Sequence, residues 1–482
     1  MTETIRAKRH RSKAPIGVVH LGPGAFFRAF CAEILDMYME RTNGDWGIAA
    51  VSLRSRAICE ALSKQDCTYH SMTLSSRDGP VRHVHAISRV MCAADDPLDV
   101  IEQMAEPDVR IISLTITEKG YCYDTSKGRL SFEHDDIAHD LKHPSRPKSA
   151  VGFICAALEK RMQNGAPPVT ILSCDNLPSN GVVTRQVICD FARARDAQLA
   201  SWIDAKVTFP SCMVDRITPA TTDQDIARVK DITGFHDPAC VVHEPFRQWV
   251  IEDQFASGRP ELEAVGVQFV QDVRPHELMK LRCLNGTHSA LAYLGYLAGF
   301  ETVSRTVANP DFARFCVQLW QAEITPTVPQ PCGEDLAAYC DTLLNRYRAP
   351  EIEHRVWQIA MDGSQKLPQR ILDTIRDNLK RGRVPEGLCL TVAAWMQFVS
   401  GIDESGAPID VRDPLADKLR EKASAADTGS ERVTALLSFE KIFGADLPQN
   451  AEFTAAVTSA LDSLQNHGAL QTVARLVAAQ NA

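Results

Sequence analysis

With 482 residues, the chain is longer than one hydrophobic core ordinarily serves, so two domains are expected. An apolar fraction of 45% and a charged fraction of 23% are those of a soluble globular protein, while a net charge of −9 argues against a nucleic-acid partner. The strongest apolar window, Ser289 to Phe300, is far short of a membrane span. Fifteen cysteines lie scattered without a CxxC pair, which suits reduced thiols in a cytoplasm and gives neither a disulfide framework nor a zinc ribbon.

The chain begins with a basic segment that contains "RAKRHRSK", and residues 1–15 read as a flexible tail. They do not read as a secretory leader, because "APIGVVHLGPGAFF" offers no small-residue cleavage site after an apolar run. Short β-branched runs then alternate with helical patterns. "IGVVHL" (16–21), "GIAAVSL" (47–53), "VRIISLTIT" (109–117) and "VTILSC" (169–174) have the texture of strands buried on both faces, and residues 27–40 and 150–163 that of intervening helices. Strands separated by helices imply a parallel, doubly wound sheet.

Gly22 and Gly24 follow the first strand directly and precede a helix. A dinucleotide pyrophosphate sits at such a place, where glycines admit the backbone and a helix N-terminus offers N–H groups. The third position of GxGxxG is Phe27, so a plain strand–helix turn stays open beside cofactor binding. Arg28 is in reach of a phosphate or of a neighbouring carboxylate. The second strand runs into "SLRSRA", where an acid would hold the ribose 2′-hydroxyl of NAD. Arg54, Ser55 and Arg56 suit the 2′-phosphate of NADP, or are surface charges, so NAD and NADP both stay open.

The strand at 169–174 leads into "SCDNLPSNG", with Asp175, Asn176 and Asn180 at the C-terminal end of the sheet, where α/β sites open. An asparagine there donates to a substrate oxygen or makes an Asx turn. "FPSCMVDRITP" adds Asp215 and Arg216, either a structural salt bridge or a carboxylate orienting a catalytic group. From about Pro275 onward the pattern is helical, at 333–346, 351–361, 388–400 and 451–479. The expectation is an α/β domain over 16–275 followed by an all-helical domain over 276–482.

That second domain opens on "HELMKLRCLNGTHSALAYLGYLAGF" (276–300). On an ideal α-helix of ~3.6 residues per turn, Lys280, His288 and Asn285 fall at about 0°, 80° and 140° and span roughly 12 Å. They can line one wall of a cleft. Leucines all around mark the helix as buried, and desolvation lowers a lysine's pKa toward that of a usable general base. Arg282 pushes the same way if its charge lies near. A snorkelling lysine and a core histidine are the structural alternative.

These pieces form an ordered set: "VVHLGPGAFFRAF", "SLTITEKGY", "SCDNLPSNG", "FPSCMVDRITP", "EPFRQWVIED", "KLRCLNGTHSALAYLG" and "MDGSQKLPQR". From about Ile16 to beyond Arg370 the chain resembles the long-chain mannitol dehydrogenase family of polyol-specific oxidoreductases. The resemblance implies a Rossmann-like domain followed by a helical substrate domain. It implies zinc-independent hydride transfer between a nicotinamide and a secondary alcohol or ketone of an open-chain sugar derivative. In these roles Lys280 is the general acid/base. Asn285 and Asn176 polarise the carbonyl and hold the alkoxide, His288 binds the reacting hydroxyl, Asp215 supports it, and Glu277 relays the proton to solvent. The cofactor residues are His20, Gly22, Gly24, Ala25, Phe26 and Arg28, with Arg54 after the second strand and Thr117 and Glu118 near the nicotinamide.

"QIAMDGSQKLPQR" is similar to the uronate-reducing branch of that family, for mannitol dehydrogenases carry an arginine where this chain has Gln358. A substrate carboxylate wants a cation. Lys366 and Arg370, with Arg346 behind them, are the candidates, helix capping or local pairing being the other use for each. The resemblance therefore implies NAD(P)-dependent interconversion of D-mannonate and D-fructuronate, a small-molecule partner, and no nucleic acid or membrane. Oxidation of a neutral polyol such as mannitol or arabinitol is the alternative. A non-catalytic nucleotide-sensing protein is a third reading, against which the complete Lys280, Asn285 and His288 set argues. No Cys/His/Glu set has zinc spacing, so no metal is expected. The sequence sets no oligomeric state.

Overall fold

The computed structural model describes residues 11–42, 44–75 and 79–479. Most of the expected basic tail lies outside the described residues. Of its end, Arg11 faces Asp36 and Glu40 at 3.6 and 3.5 Å, and Lys13 pairs with Asp66 at 2.9 Å. The chain divides into two compact units, the first ending at Arg274 and the second beginning at Pro275.

The first unit is built on a five-stranded sheet whose strands are labelled here in chain order: β1 (Ile16–Leu21), β2 (Gly47–Ser52), β3 (Ile87–Cys92), β4 (Ile111–Leu114) and β5 (Thr170–Ser173). Their spatial order is β3-β2-β1-β4-β5, with every pairing parallel. Successive side chains point to opposite faces. Val19, Leu21, Ala49 and Val51 therefore enter one core while Val18, Ile48 and Ala50 enter another. Two apolar cores on one sheet make it doubly wound. The sequence missed β3, and the reason is physical: it is only partly buried, and Arg89 leaves its face to pair with Asp99.

The helix over Ala150–Gln163 forms as expected, capped by the Ser149 hydroxyl, which accepts the Gly152 N–H. The helix expected over 27–40 is two, Ala25–Ala29 and Cys31–Thr42, broken at Phe30 (φ −132°, ψ −82°). Two small mixed sheets were not anticipated. One joins Cys212–Asp215, Gln248–Glu252 and Gln268–Val270, and the other joins Val241–His243, Tyr69–Thr73 and Val81–Val84. Both rest on a buried carboxylate of the helix Cys31–Thr42. Glu33 meets His243 Nε2 and Arg216 Nη1 at 3.1 Å each and accepts the Ser71 hydroxyl at 2.5 Å. Burial opposes its charge, but His243, Arg216 and Ser71 outweigh burial and hold it at about 2.

Among its described residues the second unit is helical, with only isolated bridges at Thr302–Arg355 and Ile402–Pro408 outside that pattern. Three of its turns are π-helical: Lys280–Gly286, Leu319–Ile324 and Pro368–Leu372. The last helix, Ala451–Ala479, is two helices meeting at Gly468, whose φ is 74°. Among the described residues no helix is long and apolar enough to cross a membrane.

Candidate active site

The first unit supplies a nucleotide turn. Gly22 leaves β1 at φ +94°, its N–H donated to Val51 O at 2.9 Å. A Cβ there would stand 2.2 Å from the Thr115 carbonyl oxygen, so only glycine fits without displacing the end of β4. Gly24 is exposed, and a Cβ on it would meet nothing nearer than Gly22 O at 3.9 Å. It caps the short helix Ala25–Ala29, whose first-turn N–H groups have no intrahelical partner. Ala25 and Phe26 are half-buried there. An open glycine before unpaired N–H groups fits a pyrophosphate.

Two residues expected on the cofactor lie beneath this turn instead. His20 is fully buried, 3.6 Å from the ring of Phe27 in a stacked pair. Its Nδ1 meets Ser113 Oγ at 2.8 Å and its Nε2 meets Thr115 Oγ1 at 2.9 Å. Because Thr115 donates its single hydroxyl proton to Gly22 O at 2.7 Å, His20 donates from Nε2 and accepts at Nδ1. Burial pushes its pKa down to about 3, so the ring is a neutral support for the turn. Arg28 is also buried, its Nε donating to Ala239 O at 3.2 Å and its Nη1 to Pro23 O at 2.5 Å. Those carbonyls take two of its five N–H hydrogens. After β2, the exposed Arg54 pairs with Asp136 at 2.6 Å and Arg56 with Asp95 at 2.6 Å.

At the C-terminal end of the sheet, Thr117 and Glu118 follow β4 and are exposed, as is Asn176 after β5. Thr117 has φ 65° and ψ 161°. Asn180 corrects an expectation of substrate contact. It is fully buried, its Nδ2 donates to Cys212 O at 2.8 Å and Asp175 O at 3.1 Å, and its Oδ1 accepts the Cys212 N–H at 2.9 Å. Both amide hydrogens and the carbonyl are used, so Asn180 fastens the loop to the strand Cys212–Asp215. Asp215 ends that strand, buried, opposite Gln248. Arg216 turns to Glu33 and to the Ala29 and Phe246 carbonyls, so the two neighbours do not form the pair their adjacency offered.

In the second unit the α-helical wheel is overturned over Lys280–Gly286, which is π-helical. Bonding i→i+5 puts one more residue in each turn. Asn285 therefore stands about one turn on from Lys280 rather than about 140° around the axis. The widened turn draws donors from elsewhere: Trp320 Nε1 donates to Cys283 O and the Tyr347 hydroxyl to Leu284 O, both at 3.0 Å. A Cβ on Gly286 would lie 2.9 Å from Arg370 O, so glycine lets the turn Pro368–Leu372 approach. Lys280 is buried, Asn285 is half-buried, and Glu277 lies half-buried in the helix Arg274–Met279. Arg282, considered from sequence as a charge near Lys280, has partners of its own. It pairs with Asp377 at 2.7 Å and donates to Thr327 O at 2.9 Å.

The His288 ring lies 4.7 Å from Tyr347 and 5.3 Å from His354, centre to centre. Burial first, then the charges of His354, Arg346 and Arg370, hold its pKa well below the ordinary value, so it is neutral. Its Nε2 is buried without a protein partner, an arrangement that costs about 1–3 kcal/mol unless a ligand supplies the bond. His354 is itself held at about 4 by burial and by Arg346. Neither His354 nor Tyr347 carried a sequence signal, because each reaches His288 through tertiary packing. Arg346 is buried in the helix Leu336–Arg348, and Arg370 lies in the π turn Pro368–Leu372. Lys366 follows the capping alternative, donating to Met361 O at 2.6 Å and Ile359 O at 3.4 Å. Gln358 is exposed.

A parallel-sheet unit with a glycine turn after its first strand, followed by a helical unit that buries Lys280 and His288, has the architecture of a nucleotide-dependent dehydrogenase. Residues 16–264 match the mannitol dehydrogenase Rossmann domain and residues 272–465 the mannitol dehydrogenase C-terminal domain. The chain belongs to the mannitol dehydrogenase family and is, with it, an oxidoreductase of the NAD-dependent dehydrogenase class. It is 46% identical over 466 residues to the D-mannonate oxidoreductase of Escherichia coli, covering 95% of each chain. Among solved structures it is similar to a ternary complex of Pseudomonas fluorescens mannitol 2-dehydrogenase with NAD and D-mannitol (39% identity, 98% and 96% coverage of this chain and that one, TM-score 0.84). It is also similar to a substrate-free D-sorbitol dehydrogenase (31% identity, 97% of both chains, TM-score 0.90).

Proposed function

We propose that the chain interconverts D-mannonate and D-fructuronate, with NAD as its cofactor. The observation that carries this reading is the cationic field of Arg346 and Arg370 on the buried His288. A substrate carboxylate is held well beside guanidinium groups. The similarity to a D-mannonate oxidoreductase over nearly the whole chain supports the same substrate class.

The turn at Gly22, Gly24, Ala25 and Phe26 would hold the NAD pyrophosphate, with Thr117 and Glu118 beside the nicotinamide. When bound, NAD accepts or supplies the hydride. Arg54 and Arg56 already face Asp136 and Asp95, pairs that a 2′-phosphate would have to break, which supports NAD over NADP. The chain's own residues do the rest. Lys280 gives the proton to the substrate oxygen when the ketone is reduced and takes it back when the alcohol is oxidised. Asn285 and Asn176 hold that oxygen as charge builds on it. Neutral His288 satisfies its buried Nε2 with the reacting hydroxyl, Asp215 supports this arrangement, and Glu277 passes the proton toward solvent. Arg370 and Arg346 take the carboxylate, while Lys366 braces the helix end before them.

The test compares D-fructuronate with D-fructose, and D-mannonate with D-mannitol, in the NAD and NADP couples. The expected result is the higher kcat/KM for both acids with NAD, and loss of that preference in Arg370→Met. A preference for fructose and mannitol would overturn the carboxylate assignment in favour of the polyol activity borne by the name of the Pseudomonas fluorescens relative.

A further inference from the structure

One carboxylate joins the two loops at the C-terminal end of the sheet. Asp175 Oδ2 accepts the Ile116 N–H at 2.9 Å and the Tyr121 hydroxyl at 2.7 Å, and its Oδ1 accepts the Thr117 N–H at 2.9 Å. Tyr121 is itself anchored to Ser173 Oγ at 2.5 Å, at the end of β5. The Asp175 main-chain oxygen meanwhile accepts from Leu177 N–H at 2.9 Å and from Asn180 at 3.1 Å. One residue thus ties the turn after β4 to the loop that carries Asn176.

What it restrains is unusual. With φ 65° and ψ 161°, Thr117 occupies a backbone region that is essentially glycine's alone, and a β-branched residue is strained there. Such a conformation persists only where its surroundings over-determine it. Two consecutive N–H groups bound to one carboxylate provide that, because the carboxylate accepts at both oxygens and donates at neither. Asparagine in its place would turn an NH2 group toward one of those N–H donors.

We propose that Asp175 is a positioning residue: it holds Thr117 in its strained conformation and so fixes Asn176 and the Thr117–Glu118 segment as one rigid piece. The inference rests on the reading of Asn176 and Thr117 as residues that face substrate and nicotinamide. Asp175 touches neither reactant in this scheme and acts through its neighbours.

Steady-state kinetics with D-fructuronate and NADH, and thermal melting, are measured on Asp175→Asn, Thr117→Gly, and the double variants Asp175→Asn/Thr117→Gly and Asp175→Asn/Thr117→Ala. Asp175→Asn should lower kcat on the order of 30-fold, the consequence of losing one hydrogen bond to a charged acceptor, and change the fructuronate KM far less. Adding Thr117→Gly should recover about tenfold, because glycine adopts a positive φ without penalty. Adding Thr117→Ala, which keeps the Cβ, should recover nothing. Thr117→Gly alone should melt no lower than the wild type, since relief of strain offsets the extra chain entropy of glycine. Wild-type kcat in Asp175→Asn, equal recovery by alanine and glycine, or a melting temperature several degrees lower in Thr117→Gly would overturn the proposal. The last arm needs no Asp175 variant to fold and no substrate. If the wild type turned over neither acid nor polyol, the functional reading would fall while the melting comparison still decided the strain.

Discussion

Gly24→Ala separates cofactor binding from folding more cleanly than any other change at the nucleotide turn. Gly24 has φ −67° and ψ −177°, extended backbone that alanine adopts freely. Its added methyl would come no nearer than 3.9 Å to another atom, an ordinary contact. The loss of stability is then that of glycine against alanine at a helix N-cap, at most about 1 kcal/mol. The same methyl points into the space a phosphate must enter to reach the N–H groups of Ala25 and Phe26. A hydrogen bond to a charged group is worth about 1.5–3 kcal/mol, and about 1.4 kcal/mol is tenfold in affinity. Loss of one such bond should therefore weaken NADH binding by about 10- to 100-fold. Gly22→Ala should do the reverse. At φ +94° and 2.2 Å from Thr115 O, alanine carries a left-handed penalty of about 1–2 kcal/mol and displaces the end of β4, so stability falls by several kcal/mol in total. The assay is NADH fluorescence titration beside urea denaturation on both variants. NADH affinity in Gly24→Ala within about threefold of wild type, under 1 kcal/mol, would refute the pyrophosphate placement. An undiminished urea midpoint in Gly22→Ala would refute the close-approach argument.

Lys280→Ala should lower turnover by about 10²–10⁴-fold, the range of general acid–base catalysis, with the NADH dissociation constant little changed. Near wild-type turnover in a single-turnover assay would remove Lys280 from its role. Asn180→Ala deletes three hydrogen bonds, two of them buried, and should cost about 2–4 kcal/mol in urea unfolding while leaving the sugar-acid KM nearly unchanged. A raised KM at unchanged stability would return Asn180 to the substrate. His20, depressed to about 3 when folded against 6.5 in its ordinary state, makes stability depend on pH. The unfolded chain takes up a proton as pH falls below 6.5 and the folded chain does not. The contribution is therefore full above that pH and lost on acidification, about 2 kcal/mol of it by pH 5. Urea midpoints should fall more steeply from pH 7.5 to 5 in the wild type than in His20→Gln, and equal slopes would show that His20 is not buried neutral.

Strands β1, β2, β4 and β5 were legible because each is covered on both faces and reads as an unbroken apolar run. β3 was not, since it is only partly buried and Arg89, paired outward with Asp99, breaks the run. The small mixed sheets escaped because their strands are short and rest on the Glu33 cluster, whose members Ser71, Arg216 and His243 are remote from it in sequence. At the site, local chemistry was readable and direction was not. Gly22 announces its own conformation. Nothing local says that Arg28 faces the Ala239 carbonyl or that Asn180 is consumed by Cys212. Polar residues next to a motif look available until their partners are known, which is why His20, Arg28, Asn180 and Lys366 were all assigned outward.

The spacing of lysine, asparagine and histidine shows the limit most clearly, because the α-helical wheel read from it does not hold over Lys280–Gly286. On an α-helix a residue five places on lies about 140° away. The π turn narrows that angle by adding a residue to the turn. Such a turn needs a reason to persist, since i→i+5 bonding is rare. Trp320 and Tyr347 supply donors to Cys283 O and Leu284 O, and Gly286 admits the neighbouring π turn that carries Arg370. Tyr347 also flanks His288. One aromatic residue outside the motif thus helps set both the width of the turn and the placement of the imidazole. The three residues are local in sequence, but the π turn that holds Lys280 and Asn285 takes hydrogen bonds from side chains that no periodicity within the motif could have revealed.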